Sequence, residues 1–390
     1  MIFIVFIACS FLYLPVKAQS QTIIVPDNFP TITAAVLNAN NGDTVFVKNG
    51  NYTESIEIDK PISLIGEERN SVVITAPFST IFGSQTIKVV ADEVKISNLT
   101  VNNYNDYGFG ISDSGNRSKI ISNIVYAQTA IVTSAPFIIV SKNNLSGSTS
   151  VLVSTHDCNI TDNILSSSID LEGSFNIVSE NRITGNTVYG IVGYGVFING
   201  NSNNVTNNTI VNEQDGISVF AGSDNTIIKN IVVNCIDNGL RVDDGSANFL
   251  LENNVSDCGH GVSMGLKANN NTIYHNNFMN NIQQVSMQPN VSEYWNNSNE
   301  GNYWSDYSER YPNAKEVDDL GIWNMPYVID VNNVDNYPLL LQYGASSKLR
   351  EQPFPWLPVT AAVLVVVAVV TVAALAHFKK NKHKAESASR

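Results

Sequence analysis

The residues best equipped for chemistry lie late in the chain: Arg241, the adjacent carboxylates Asp243 and Asp244, and the triplet Gly259-His260-Gly261. Paired carboxylates are what glycoside cleavage needs, one protonating the leaving oxygen while the other activates water or attacks the sugar. Cys258, His260, Met264, His275, Met279 and Met287 form a second set. Thiolate, thioether and imidazole ligands of this kind suit Cu(I). A third feature is Cys235 with Cys258, which share one position of a 23-residue spacing.

Whether such groups meet depends on the elements that carry them, and here an internal repeat governs. Gly216-Ile-Ser-Val, Gly239-Leu-Arg-Val and Gly261-Val-Ser-Met are each followed by an Asn-rich stretch that ends on the column Asn230, Asn253, Asn276, which Asn208 precedes. The apolar columns Val205, Ile227, Leu250, Ile273 and Ile210, Val232, Val255, Phe278 share that register. Earlier copies of the Asn signature fall at Asn123, Asn143, Asn163 and Asn181. Apolar and polar residues alternate within short stretches punctuated by Gly, Asn, Asp and Ser, which means strands and turns with no helical pattern in any copy. Strands that pair with their equivalents one repeat on wind into a parallel β-helix, with coils about 4.8 Å apart. The Asn column then reads as a structural ladder, each amide donating to and accepting from its neighbours, with Asn itself taking the left-handed conformation of a tight turn.

That register weighs against most of the candidates. His260 fills the slot of Asp215 and Asn238, the polar residue before the repeat's glycine, and Asp243 and Asp244 follow the strand Leu240-Arg-Val on what reads as a solvated turn. Met264 falls in the core column of Val219 and Val242, and His275 lies far around the coil from His260, so no metal set is expected. In adjacent coils the Cα atoms of Cys235 and Cys258 would lie about 5 Å apart, which fits a disulfide and a pair of buried thiols equally well. No complete catalytic set is read.

The ends of the chain suggest export. Met1–Ala18 reads as a signal peptide. Residues 22–300 form the repeat domain, 301–343 a closing segment and 344–356 a linker. The uncharged stretch Leu357–Phe378 is long enough to span a bilayer. The Lys-rich tail 379–390 would face the cytoplasm and leave the β-helix on the cell surface. The net charge is −13; without Lys17, Lys379, Lys380, Lys382, Lys384 and Arg390, and without Glu386, 16 basic residues face 34 acidic ones. So acidic a surface repels nucleic acid and anionic polymers, leaving neutral carbohydrate or other envelope components as expected partners. Aromatics near turns, Tyr189, Tyr194 and Phe220, are candidates for stacking on sugar rings. Sequons at Asn51, Asn290 and Asn296 are the preferred glycan acceptors. Pro30–Ala39, with Ile32, Ala35, Val36 and Ala39 at helical spacing, reads as a helix that caps the first coil.

The opening motifs Val25-Pro-Asp-Asn-Phe-Pro-Thr-Ile, Gly50-Asn-Tyr-Thr-Glu54 and Ile62-Ser-Leu-Ile-Gly66 resemble those of pectin-lyase-like proteins. The closing Gly301-Asn-Tyr-Trp-Ser-Asp-Tyr307, Pro326-Tyr-Val-Ile-Asp330 and Asp335-Asn-Tyr-Pro-Leu339 are similar to the NosD-type family, often labelled periplasmic copper-binding. The resemblance implies an all-β, right-handed parallel β-helix. For activity it implies little, because this fold carries lyases, hydrolases, esterases, epimerases and non-catalytic adhesins alike. Gly50-Asn-Tyr-Thr-Glu54 also matches a pectin methylesterase motif, but without that family's catalytic Gln and Asp companions. Relatives often bind calcium between the closing motifs, whereas Val317-Asp-Asp-Leu-Gly-Ile-Trp-Asn324 retains two acidic residues. Ca²⁺ prefers 6 to 8 oxygens, so no cofactor is expected beyond Ca²⁺ at that segment. The expected role is a membrane-anchored, non-catalytic carbohydrate-binding or envelope-interaction module, with a polysaccharide-active enzyme and a copper-handling accessory as alternatives.

Overall fold

The computed structural model describes residues 20–185, 193–318 and 320–345. The signal segment, Tyr189, the 357–378 stretch and the tail lie outside the described residues. Among the described residues no helix is long and apolar enough to cross a membrane.

Three parallel sheets run the length of a right-handed β-solenoid of about 13 turns. Among the described residues sheet I has 12 strands, from Thr22–Val25 to Thr272–Tyr274; sheet II has 12, from Gly50–Thr53 to Tyr303–Trp304; sheet III has 11, from Ile56–Ile58 to Gln283–Met287. A single coil visits them in that order, as Asn204–Thr206, Thr209–Val211 and Asp215–Ala221 do. The apolar columns read from the sequence pair directly: Val205, Ile227, Leu250 and Ile273 in sheet I, and Ile210, Val232, Val255 and Phe278 in sheet II. All eight are buried, so like stacks on like through a continuous core. The glycine column has a steric cause: a Cβ at Gly216 would collide with Val232 and the Gly239 carbonyl, and one at Gly239 with Val255.

The Asn ladder lies at the corner between sheets I and II, and it is directional. The backbone N–H and side-chain Nδ2 of Asn208 both donate to Asn230 Oδ1, at 3.0 Å each; Asn230 does the same to Asn253, and Asn253 to Asn276. Nδ2 also reaches a carbonyl in the preceding coil, as Asn253 reaches Ile227 at 2.9 Å. The left-handed residue is not the ladder Asn but the one before it: Asn207, Lys229, Glu252 and His275 all have φ between 55° and 61°. The amide therefore acts as an internal clamp for a turn whose strain falls on its neighbour, where Lys, Glu and His are tolerated.

A second ladder, which the sequence reading did not single out, runs at the corner between sheets III and I through Asn176, Asn203, Asn225, Asn248 and Asn271. Its signal was present, since each member precedes a first-ladder Asn by five residues: Asn203 and Asn208, Asn225 and Asn230, Asn248 and Asn253, Asn271 and Asn276.

Both ends are closed. Helix Ile32–Asn38 buries Ile32, Ala35 and Val36 against the first coil, and Thr31 caps its N-terminus through Ala34 N–H. Glu54 accepts hydrogen bonds from Ile32 N–H, Thr33 N–H and the Thr33 hydroxyl, which gives the Gly-x-Tyr-x-Glu motif a helix-capping role. At the far end Trp304 pairs with Phe278 in sheet II and stacks on it at 4.8 Å, and Tyr327 stacks on Trp304 at 4.3 Å. Each ladder ends on a buried carboxylate: Asn271 donates to Glu293, and Asn302, the last rung of the first ladder, donates to Asp335.

Candidate functional site

On sheet III the first and fourth residues of the strands form two columns on the side away from the core, partly exposed at Tyr194, Phe197, Arg241, His260 and Ser263 but buried at Asp215, Ser218 and Asn238. The fourth-position column runs Leu152, Asp170, Phe197, Ser218, Arg241, Ser263. The first-position column includes Tyr194, Asp215, Asn238 and His260.

In the slot shared by Asp215, Asn238 and His260 only His260 is partly exposed, with Asp215 and Asn238 buried beneath, and the three are linked. Asp215 Oδ1 accepts from Asn238 N–H at 3.1 Å and from Nδ2 at 2.7 Å, and His260 Nδ1 lies 3.1 Å from Asn238 Oδ1. Arg241 locks the row from the side, with Nη1 3.0 Å from Asp215 Oδ2 and Nε 2.9 Å from Asp243 Oδ1. The two carboxylates hold the guanidinium charge and raise its pKa, the hydrogen bond to Asp243 contributing most. Asp243 and Asp244 do not lie on a turn, as the sequence reading had them. The strand Asn238–Ser246 runs through both, and Asp244 pairs with Lys267 at 2.8 Å. That strand extends because Asp244, Gly245 and Ser246 find partners in the equally long His260–Asn269 of the next coil.

Next to this polar row stands an aromatic one. Tyr194 and Phe197 have ring centroids 5.0 Å apart, and Phe197 stacks on the half-exposed Phe220 at 5.6 Å. Phe220, Ala221, Asp243, Asp244, Gly265, Leu266 and Lys267 line a cleft of about 300 Å³. Asp170 pairs in register with Phe197 and Leu152, and burial raises its carboxyl pKa.

The soft ligands do not converge. Met264 and Cys258 are buried, His260 faces outward on sheet III, and His275 lies at the sheet I–II corner, 2.8 Å from Glu300 and stacked on Tyr343. Among the described residues no group of three or more His, Cys, Asp and Glu is placed to hold a metal ion. In the closing segment Asp318 is described and Asp319 is not. Cys235 and Cys258 stack in adjacent coils, both buried, with Cys235 N–H directed at Cys258 Sγ at 3.4 Å. The sequon residues Asn51 and Asn290 are exposed and Asn296 is partly so.

Four buried carboxylates make stability pH-dependent. Burial pushes Glu213 up to about 8, Glu293 to about 7, and Asp113 and Asp335 to about 6. The folded state then binds protons that the unfolded chain has released, so the contribution is complete below the ordinary carboxylate range and is lost as pH rises through about 6 to 8. Glu293 alone, raised from 4.5 to about 7, contributes about 3 kcal/mol at acidic pH, which is lost between about pH 4.5 and 7. Thermal melts should show the melting temperature falling from mildly acidic to mildly alkaline pH, less steeply for Glu293→Gln.

The three stacked sheets define the chain as a right-handed parallel β-helix. Residues 192–309, which carry most of the polar and aromatic rows, match the family model described as periplasmic copper-binding protein (NosD). No curated protein matches. Among solved structures the chain is similar to the Dettilon tailspike protein, with a TM-score of 0.56 and 12% identity over 70% of this chain and 65% of that one. It thus spans just under two thirds of the tailspike chain. A mannuronic-acid-specific family 6 polysaccharide lyase from human gut microbiota matches with a TM-score of 0.48 and 13% identity, over 70% of this chain and 83% of that one. The A-module of the Azotobacter vinelandii mannuronan C-5 epimerase AlgE6 matches with a TM-score of 0.43 and 10% identity, over 68% and 94%. At 12% identity the likeness to the tailspike is one of fold alone.

Proposed function

We propose that the chain is a surface-displayed, non-catalytic carbohydrate-binding module, exported by its N-terminal segment and anchored by the apolar stretch Leu357–Phe378. The observation that carries the reading is the pairing of two rows on one face of sheet III: the rings of Tyr194, Phe197 and Phe220 beside the hydrogen-bonded Asp215, Asn238, Arg241, Asp243 and His260. Aromatic faces stack on the C–H side of a sugar ring while fixed polar groups bind its hydroxyls, and a flat parallel sheet repeats this along a polymer. Asp215 and Asp243 are both engaged by Arg241, which suits a rigid binding row better than an acid and a nucleophile. The acidic surface favours a neutral glycan. The match to a family described as periplasmic supports a location outside the cytoplasm; glycans at Asn51, Asn290 and Asn296, and Ca²⁺ near Asp318, belong to the same proposal.

In a glycan array on the full-length chain in detergent, with and without Ca²⁺, neutral oligosaccharides should bind. Phe220→Ala should weaken them about tenfold, the loss of one stacked ring. Unchanged affinity in Phe220→Ala would remove the sheet III face from the account. A second reading, turnover of a polysaccharide, has one observation in its favour: Asp170, the face's carboxyl with a raised pKa. Release of reducing sugar or unsaturated product that disappears in Asp170→Asn would establish it.

A further inference from the structure

Far from the rows just described, two connections between sheets II and III project from consecutive coils. Residues 76–84 join Val72–Thr75 to Gln85–Val89, and residues 103–108 join Thr100–Asn102 to Phe109–Asp113. Together they carry an unusual density of exposed rings: Phe78 is 89% exposed, Tyr104 75% and Phe82 73%. Phe82 stacks on Tyr107 at 4.4 Å. The cleft they form measures about 360 Å³, and Ser79, Thr80, Asn105 and Asp106 supply its polar groups.

These loops are held in place. Asn105, nearly buried, accepts from Ser79 N–H at 2.9 Å and donates to the Pro77 carbonyl at 3.0 Å, tying one loop to the other. Asn103, also buried, donates to the carbonyls of Ser84 and Phe109 at 2.9 Å each. Tyr107 N–H is fixed by Gln128 Oε1 at 2.6 Å. Buried amides that hold exposed rings in a set geometry build a binding surface, since rings placed only for the core would be covered.

The cleft opens at the edge of sheet III where its strands begin. From there the register runs through Phe109, Thr129, Thr149 and Ser168, with a one-residue irregularity just after the Thr149–Ser168 pair. The next strand of the sheet begins with Tyr194 of the aromatic row. The intervening residues are Thr129 and Thr149, each partly exposed, and the buried Ser168. The Phe109 and Tyr194 strands are four steps apart in the sheet, a distance of about 19 Å.

We infer that the Phe78–Phe82–Tyr104–Tyr107 cleft is a second glycan subsite, and that it holds one end of the same neutral, extended polysaccharide whose other part lies on the Tyr194–Phe197–Phe220 row. The inference rests on the carbohydrate reading of sheet III and adds to it a position, a polarity class and a length requirement. Neutral sugar is favoured because Asp106 is the only charged residue of the two loops, and it is acidic on an acidic molecule. Two subsites on one rigid face make the second contact intramolecular, so a ligand long enough to reach both gains affinity that a short one cannot.

The test is calorimetry on the full-length chain in detergent, with neutral hexose and pentose oligosaccharides of graded length as probes. Long oligosaccharides should bind at least tenfold more tightly than short ones. The double substitution Phe82→Ala with Tyr104→Ala should abolish that gain while preserving binding of short ligands and the melting temperature, because both side chains are exposed. Affinity independent of length, or no effect of the double substitution, overturns the inference, as does loop-dependent binding of phospholipid vesicles or of a protein with no oligosaccharide bound. Loss of binding in Phe220→Ala alone, with the loop variant unchanged, overturns the inference and leaves the sheet III reading standing. The reverse pattern removes the sheet III row and overturns the inference with it.

Discussion

Asp335→Ala is expected to cost about 2 to 6 kcal/mol and to open the C-terminal end of the solenoid, since it leaves two buried donors without acceptors at about 1 to 3 kcal/mol each, and a partly buried third. Asp335 Oδ2 accepts from Asn302 N–H at 2.7 Å and from the Trp304 indole at 2.9 Å, and Oδ1 accepts from Tyr337 N–H at 3.1 Å. The same carboxylate abuts Gly301 so closely that a Cβ there would strike it, which accounts for the glycine that opens the closing motif. Without the carboxylate the last rung of the first ladder and the Phe278–Trp304–Tyr327 stack lose their anchor together. Asp335→Asn, which keeps an acceptor oxygen, should cost markedly less. Hydrogen exchange would show the loss spreading from Asn302 and Trp304 into sheet II; protection retained there in the Ala variant would refute the capping role.

The second large effect belongs to the middle of the ladder. Asn253 Oδ1 receives both donors of Asn230, at 2.9 and 3.0 Å, while its own Nδ2 serves Ile227 O and Asn276 Oδ1, each at 2.9 Å. Asn253→Leu strands the Asn230 donors and the Ile227 carbonyl, all buried, and leaves Asn276 Oδ1 only the backbone N–H of residue 253, so about 3 kcal/mol or more should be lost. It also removes the clamp on the turn that keeps Glu252 at a φ of 55°. Denaturant melts of Asn253→Leu against the exposed Asn49→Leu would measure this, and equal midpoints would remove the ladder from the account of stability.

Much of this architecture was legible because a solenoid turns sequence period directly into spatial neighbourhood. The spacing of 22 to 23 residues that aligns Asn208, Asn230, Asn253 and Asn276 is the spacing of hydrogen-bonded coils, so a column in the alignment is a stack in space. The same logic placed Met264 with Val219 and Val242 in the core, and His260 in one slot with Asp215 and Asn238. The capping helix was readable from Ile32, Ala35 and Val36 at helical spacing.

What the period could not convey was the face and length of each strand, or contacts between residues outside one column. Asp243 and Asp244 read as a turn because the apolar alternation stops at Val242. They are strand because the neighbouring coil supplies hydrogen-bond partners, and pairing of that kind overrides the local pattern. Arg241 bridging Asp215 and Asp243 links two coils across columns, and Phe220 meets Phe197 of the preceding coil in the same way. Glu54 on a helix N-terminus and Asp335 under a tryptophan are contacts between segments with no repeat relation at all. By itself, then, the sequence determined the winding, the core columns and the principal ladder, because these follow from periodic burial and pairing. Only the tertiary structure decided which polar residues share a face, which carboxylates close the ends and where the exposed rings gather, because those depend on side-chain direction and on contacts that no period encodes.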